Sequence, residues 1–406
     1  MRSALGCVLV WSLTAAGASA TTPDIALELN EVVVRVMAAA RVPLPDQART
    51  LLFAHVAMFD AINAIEAGRY SPYVVLPAPP AGASAADAAL GAVCGVLLAH
   101  HAAHRAAIES ECRIVASRFG VEPGSASARY GERAGHALIE ARAVSGTPDP
   151  YRPATTPGVY VPTTLPVGWE ARTAQPLAMR APDQFRPGPP PALSSAVWAR
   201  DYNETRRVGS RDSTARTEEQ TRVARDWAVS GVTIYNPVIR QAAAVPGTLV
   251  ERARVFALAY IALADSTIAV FDAKYAYNFW RPLTAIRNGD VDGNDSTERD
   301  AAWMPLVDAP MHPEYPCAHC ISAAALGEIL VSVLGDGALA TPLTMSAPAA
   351  QPGAPKRSWM RVADFVAEPI NARIWGGVHF RNSAEVGAAM GRQVGRHTLE
   401  TVLVPR

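Results

Sequence analysis

The 406-residue chain predicts an all-α fold. Half of its residues are apolar and aromatics make up only 7%. Ala, Leu and Val dominate the apolar set, which suits helices packed closely through small side chains rather than the faces of a β-sandwich. Apolar residues also recur at helical spacing over most of the chain. Proline-rich stretches at 148–191 and 335–355 interrupt that pattern, so the predicted architecture is helical bundles joined by long Pro-rich surface loops. At this length either two packed subdomains or one large helical domain is needed to keep a core compact.

Residues 1–20 have the form of a secretory signal. Met1-Arg2-Ser3 precedes a mainly apolar stretch at 4–16, and Gly17-Ala18-Ser19-Ala20 supplies an A-x-A cleavage site. The mature chain then begins at Thr21, and a secreted or periplasmic location is expected. Cys7 follows Ala4-Leu5-Gly6 in the manner of a lipoprotein box, but no apolar core precedes it.

The N-terminal part, 21–147, reads as helices over 24–40, 46–64, 83–119 and 125–143. Within 83–119, His100 and His104 have the i,i+4 spacing of a metal pair. No acidic third ligand sits beside them, so they are read as a solvated helix face. Cys94 and Cys112 fall about five turns apart on that same helix and are read as separate buried residues rather than a bridge.

Residues 148–193 are read as an ordered excursion over the surface, because Tyr151, Tyr160, Trp169 and Phe185 are anchors that a flexible linker does not need. In the remainder, 194–406, helices are predicted over 194–208, 217–230, 236–244, 249–287, 321–334, 359–373 and 383–402. The acidic stretch 289–300 has the wrong residue order for a calcium loop and reads as solvated. The longest apolar run, 255–271, is interrupted by Asp265, Ser266 and Thr267 and falls short of the ~20 residues of a membrane span; no span is expected. Lys plus Arg and Asp plus Glu number 37 each, so no global field points to nucleic acid or an anionic membrane.

Chemistry concentrates between Lys274 and His379. Lys274-Tyr-Ala-Tyr-Asn-Phe-Trp-Arg281-Pro282 spaces two cations by two helical turns, so one helix would present both on one face. Asp265 or Asp272 would pair with them if their role were structural. Tyr315-Pro316-Cys317-Ala318-His319-Cys320 precedes an apolar run and puts His319 at or near a helix N-terminus, where free N–H groups favour an anion. Asn371-Ala372-Arg373-Ile-Trp-Gly-Gly-Val-His379 ends a helix at Arg373, breaks it at Gly376-Gly377 and lets His379 reach back. Together these pieces predict a cradle for a tetrahedral oxyanion, furnished with two titratable imidazoles.

In order and spacing they resemble the vanadium haloperoxidase and PAP2-type acid phosphatase superfamily, whose pattern is K-x6-R-P, then P-S-G-H, then S-R-x5-H. The stretches 48–63, 184–195, 201–204 and 216–220 are also similar to it, so the resemblance covers most of the mature chain. It implies a vanadate cofactor held by Lys274, Arg281, Cys317, Ala318 and Arg373 and bound at vanadium by His379. His319 is then the acid/base group, Lys274 polarises bound peroxide, and peroxide and halide are the substrates. It implies equally an acid phosphatase, with no cofactor, in which the same cradle holds a phosphoester and His379 attacks phosphorus. His312, seven residues before His319, resembles the family's bromoperoxidases and hints at bromide or iodide; a loop histidine beside Pro313 is the alternative. The sequence departs from the pattern at Cys317-Ala318, where the family has Ser-Gly, and at Ala372, where it has Ser. A thiol donates a weaker hydrogen bond than a hydroxyl. Cys317 and Cys320 have C-x-x-C spacing, which leaves open a local disulfide, and a third reading, a family member that binds an anion or works through its Cys pair alone. A zinc site on Cys317, Cys320, His319 and His312 is disfavoured, because adjacent residues at one helix start point apart.

Overall fold

A computed structural model describes residues 24–142, 149–229, 231–345 and 356–406. The signal-like segment 1–20 lies outside them. Helices form the fold, as the composition predicts, and the sheet among the described residues is one pair of three-residue strands, β1 Leu343–Met345 and β2 Arg357–Trp359.

The N-terminal helices are α1 Ile25–Ala39, α2 Leu44–Ile65, α3 Ala85–His100, α4 Arg105–Phe119 and α5 Ala126–Ala141. Asp24, Ser84 and Ser125 begin α1, α3 and α5, each accepting from free N–H groups of the first turn. Helices α3 and α5 approach closely because glycines face backbone: a Cβ on Gly131 would stand 1.9 Å from Ala88 O, and one on Gly91 1.9 Å from Ala128 O.

The single helix expected over 83–119 is two, bent by 110° at His101. No Gly or Pro marks that break; Thr50 of α2 fixes it from outside, its hydroxyl meeting His101 Nε2 at 2.9 Å and His100 Nδ1 at 3.4 Å. The fold-back corrects the reading of Cys94 and Cys112, which form a disulfide with their Cα atoms 6.4 Å apart. It also takes His100 and His104 off a common helix face, since His104 lies in a 3-10 turn.

The excursion is ordered over its described part, 149–193. Tyr151 and Trp169 pack edge-on against Tyr275, Tyr160 is buried and Phe185 meets His397. Asp265, fully buried, accepts the N–H groups of Leu177, Ala178 and Met179 and clamps the excursion to the core.

The rest comprises α6 Ala196–Gly209, α7 Glu218–Asp226, α8 Asn236–Ala243, α9 Leu249–Tyr277, α10 Pro282–Arg287, α11 Ala318–Leu334, α12 Val362–Trp375 and α13 Arg381–Thr401. A Thr248/Glu251 capping box starts α9, which is central: it packs against α2 on one side and against α11 and α13 on the other. Gly387, Gly391 and Gly395 bring α13 onto α11; a Cβ on Gly387 would stand 2.6 Å from Cys317 O. The acidic loop is less solvated than expected, because Asp292 is buried and accepts the Trp198 indole N–H at 2.8 Å.

By length and composition α2 and α9 are both apolar enough to cross a membrane, α9 having 29 residues where the sequence showed a shorter interrupted run. In this fold 78% of the apolar window of each is buried against the rest of the protein.

Candidate active site

The three pieces converge, though not by the route expected. Lys274 occupies the last turn of α9, which ends at Asn278 in the left-handed conformation (φ 49°), one that asparagine tolerates. Arg281 caps α10, and Pro282 occupies its first position. The expectation that Lys274 and Arg281 share one helix face is thereby corrected: the cap and the proline stop the helix between them. They meet instead on the loop before α11. Lys274 Nζ donates to Pro313 O and Glu314 O, both at 2.8 Å. Arg281 donates through Nε to His312 O at 2.8 Å, through Nη1 to Val378 O at 2.7 Å and His379 Nε2 at 3.1 Å, and through Nη2 to His312 Nδ1 at 2.9 Å and Pro313 O at 3.4 Å. A guanidinium has five N–H groups, so this one is committed within the protein. Asp272 pairs with Arg186 and Asp265 holds the excursion, so neither neutralises the two cations.

The hydrogen bonds settle the imidazole tautomers. Arg281 can only donate, so His379 Nε2 accepts and the proton sits on Nδ1, which donates to Glu314 Oε1 at 2.7 Å. His312 Nδ1 stands 2.9 Å from Arg281 Nη2 and 3.2 Å from Pro313 O, and the shorter contact, from an obligate donor, makes it an acceptor. His319, in the first turn of α11, lies 2.9 Å through Nε2 from Val229 O, which can only accept, so its Nδ1 is the bare nitrogen. Burial first, and then the neighbouring cations, hold His379 and His312 well below the ordinary imidazole value, and push His319 down to about 3. All three are neutral near pH 7.

Glu314 was not singled out from the sequence. Lone acids between prolines carry no burial signal, but here the side chain is fully buried, accepts from His379 Nδ1 and from Phe380 N at 3.0 Å, and leaves Oε2 without a protein partner. Burial raises its carboxyl to about 7 against the pull of Lys274 and Arg281.

Arg373, in the last turn of α12, is 2% exposed and donates through Nη1 to Trp227 O at 2.6 Å, while its Nε has no partner. Cys317 caps α11, its sulfur accepting the Cys320 N–H at 3.4 Å, and Ala318 is the first helical residue. Cys317 and Cys320 are buried and free. Burial alone would raise the Cys317 thiol, but the bond from Cys320 and the charges of Arg373 and Lys274 bring it down to about 7. The cradle thus gathers three buried basic side chains against one carboxyl group, and burial, then the charge of Arg281, holds the Lys274 ammonium well below its ordinary value. Such an excess of buried positive charge is costly unless an anion or a thiolate offsets it. A tetrahedral oxyanion fits it: Arg373 Nε is orphaned, Lys274 keeps a third N–H, and the first N–H groups of α11 have no partner within the helix.

Residues 254–404, which contain every cradle residue, match the family model described as the VCPO second helical-bundle domain. Over that stretch the chain is similar to this domain. The architecture agrees over nearly the whole chain. The vanadium chloroperoxidase of Curvularia inaequalis is 25% identical over 182 residues, 36% of this chain and 29% of that protein, so the match spans under a third of the relative's length. The first bacterial vanadium-dependent iodoperoxidase to be solved superposes with a TM-score of 0.76 at 22% identity, covering 95% of this chain and 98% of that one. The apo form of a bacterial vanadium-dependent chloroperoxidase superposes with a TM-score of 0.66 at 17% identity over 87% and 92% of the two chains. A holo-form structure gives 0.65 at 18% identity over 94% and 96%. These structural likenesses carry the fold.

Proposed function

We propose that the chain is a haloperoxidase-like enzyme that binds vanadate in this cradle and oxidises halide with hydrogen peroxide. The observation that carries the reading is the convergence of Lys274, Arg281 and Arg373, each at most 2% exposed, around a histidine whose Nε2 carries no proton and accepts from Arg281. Vanadate bound there supplies Lewis acidity toward peroxide.

The residues do the rest. His379 would offer Nε2 as ligand in place of the bond it takes from Arg281 Nη1, and Glu314 fixes its ring and raises its basicity, as carboxylates do behind metal-binding histidines. Lys274 and Arg373 offset the oxyanion charge through donors the protein leaves free, while Arg281 positions His379 and His312. His319 Nδ1, being bare, takes a proton from an arriving peroxide and returns it to a leaving hydroxide. His312 stands edge-on to Phe271 with ring centroids 5.2 Å apart, placing an imidazole and an aromatic ring together beside Arg281, where a halide approaching the cradle would meet them. Export is part of the reading: the signal-like leader suggests it, and the Cys94–Cys112 disulfide suits an oxidising compartment.

Halogenation of monochlorodimedone with iodide, bromide and chloride, with and without added vanadate, tests the proposal beside hydrolysis of p-nitrophenyl phosphate. Vanadate-dependent halogenation is the expected result. Phosphate hydrolysis without halogenation would establish the phosphatase reading of the same cradle instead.

A further inference from the structure

A pair of thiols at the foot of the cradle takes no part in the steps described above. Cys317 and Cys320 lie with their sulfurs 2.7 Å apart, well inside ordinary sulfur contact, and both are free although Cys94 and Cys112 of the same chain are bridged. Cys317 occupies the cap of α11 and takes the Cys320 N–H on its sulfur. The helix end therefore favours negative charge on Cys317 and not on Cys320. Cys320 Sγ donates to Cys317 Sγ, which places the proton of the pair on Cys320, and burial raises the Cys320 thiol in the same sense. Arg373, whose Nε has no partner, and Lys274 both lower the Cys317 thiol by their charge. Cys317 and Cys320 are fully buried, and Ala318 and His319 between them are only partly so.

We propose that Cys317 and Cys320 form a second catalytic centre, which reduces hydrogen peroxide at the expense of their own thiols. The Cys317 thiolate attacks one peroxide oxygen, the O–O bond breaks, and hydroxide leaves toward Arg373 and Lys274 and takes back from solvent the proton that Cys317 gave up on ionising, forming water. Cys317 is oxidised by two electrons to a sulfenic acid and the peroxide is reduced by two. The Cys320 sulfur then displaces hydroxide from the Cys317 sulfur, forming the S–S bond, and its thiol proton completes the second water. An external dithiol restores the pair. The cations that suit an oxyanion here stabilise a leaving hydroxide, and the thiol that weakens a hydroxyl donor site is what makes the new chemistry available. The step needs no vanadate, so it stands or falls apart from the haloperoxidase reading.

The test uses the full chain, treated with chelator to remove vanadate and reduced under conditions that keep Cys94–Cys112 intact. One equivalent of hydrogen peroxide is added, followed by alkylation after unfolding and peptide mapping. The expected result is loss of both thiols and a Cys317–Cys320 disulfide. Cys320→Ser should stop at a single Cys317 sulfenic acid trapped by dimedone. Cys317→Ser should slow peroxide consumption by at least about ten-fold, with helical circular dichroism retained in both variants. If both thiols of the unaltered chain remain alkylatable after excess peroxide, or Cys317→Ser consumes it as fast as the parent, the proposal is wrong.

Discussion

Glu314 Oε1 lies 2.7 Å from His379 Nδ1, with the two side chains 0% and 1% exposed. Burial and three cations keep the imidazole neutral, so the contact is a neutral imidazole donating to a carboxyl group rather than an ion pair. Its consequence is geometric: it commits the proton to Nδ1 and leaves Nε2 as the only lone pair the ring can offer. Glu314→Gln preserves an acceptor at Oε1 but removes the charge, and should weaken vanadate binding by roughly 10- to 100-fold, the usual cost of losing a partner behind a metal-binding histidine. Calorimetric titration checks it, and an unchanged affinity would show that the carboxylate plays no part in orienting His379.

Acid should destabilise the protein despite two carboxyl groups that favour it. Burial raises Asp60 and Glu314 to about 7, so each costs stability above that value, and the cost is relieved as pH falls toward their unfolded range. His55, lowered to about 4, His319, lowered to about 3, and His312 and His379, both well below the ordinary value, are neutral when folded but protonate near 6.5 when unfolded. Between pH 6.5 and about 4.5 these four imidazoles take up protons on unfolding while Asp60 and Glu314 release theirs, so the balance among the six lowers stability as pH falls. Glu314→Gln removes one opposing proton and should steepen the fall. Thermal unfolding across this range measures both slopes.

Arg281 and Arg373 should respond oppositely to replacement by methionine. Arg281 holds His312, Pro313, Val378 and His379, and its removal orphans buried acceptors, so Arg281→Met should cost about 3 kcal/mol. Arg373 makes one such bond and carries an unpartnered Nε. In protein free of oxyanion, Arg373→Met should therefore stay within about 1 kcal/mol of the parent or exceed it. Denaturant unfolding of the two variants compares them directly.

Breaking the Cys94–Cys112 bridge should act on stability alone. It closes a loop with a sequence separation of 18 in the N-terminal bundle, and the double variant Cys94→Ala/Cys112→Ala should lose about 3 kcal/mol. Oxyanion affinity at a temperature where the variant remains folded should be unchanged.

The fold class and the cation set were legible because they rest on signals a single sequence carries: helical periodicity, an Ala-rich apolar half, and paired motifs at fixed spacing. Cys94 and Cys112 were not, since the break at His101 carries no Gly or Pro and is met by Thr50 from another helix. Lys274 and Arg281 were expected on one helix face and meet instead on the loop before α11. Pro282 was visible, yet at a first helical position it opens a helix, and only Asn278 in the left-handed conformation shows where α9 ends. Glu314 stayed hidden because its importance is its burial, and burial of one acid cannot be read from its neighbours in sequence.

The reading rests on a buried excess of positive charge awaiting an oxyanion. Titration of vanadate into vanadate-free protein, alongside Arg373→Met, tests it directly. Binding of one vanadate per chain, lost in Arg373→Met while the helical circular dichroism is kept, is the predicted result. Absence of binding in the parent, or equal affinity in the variant, would contradict it.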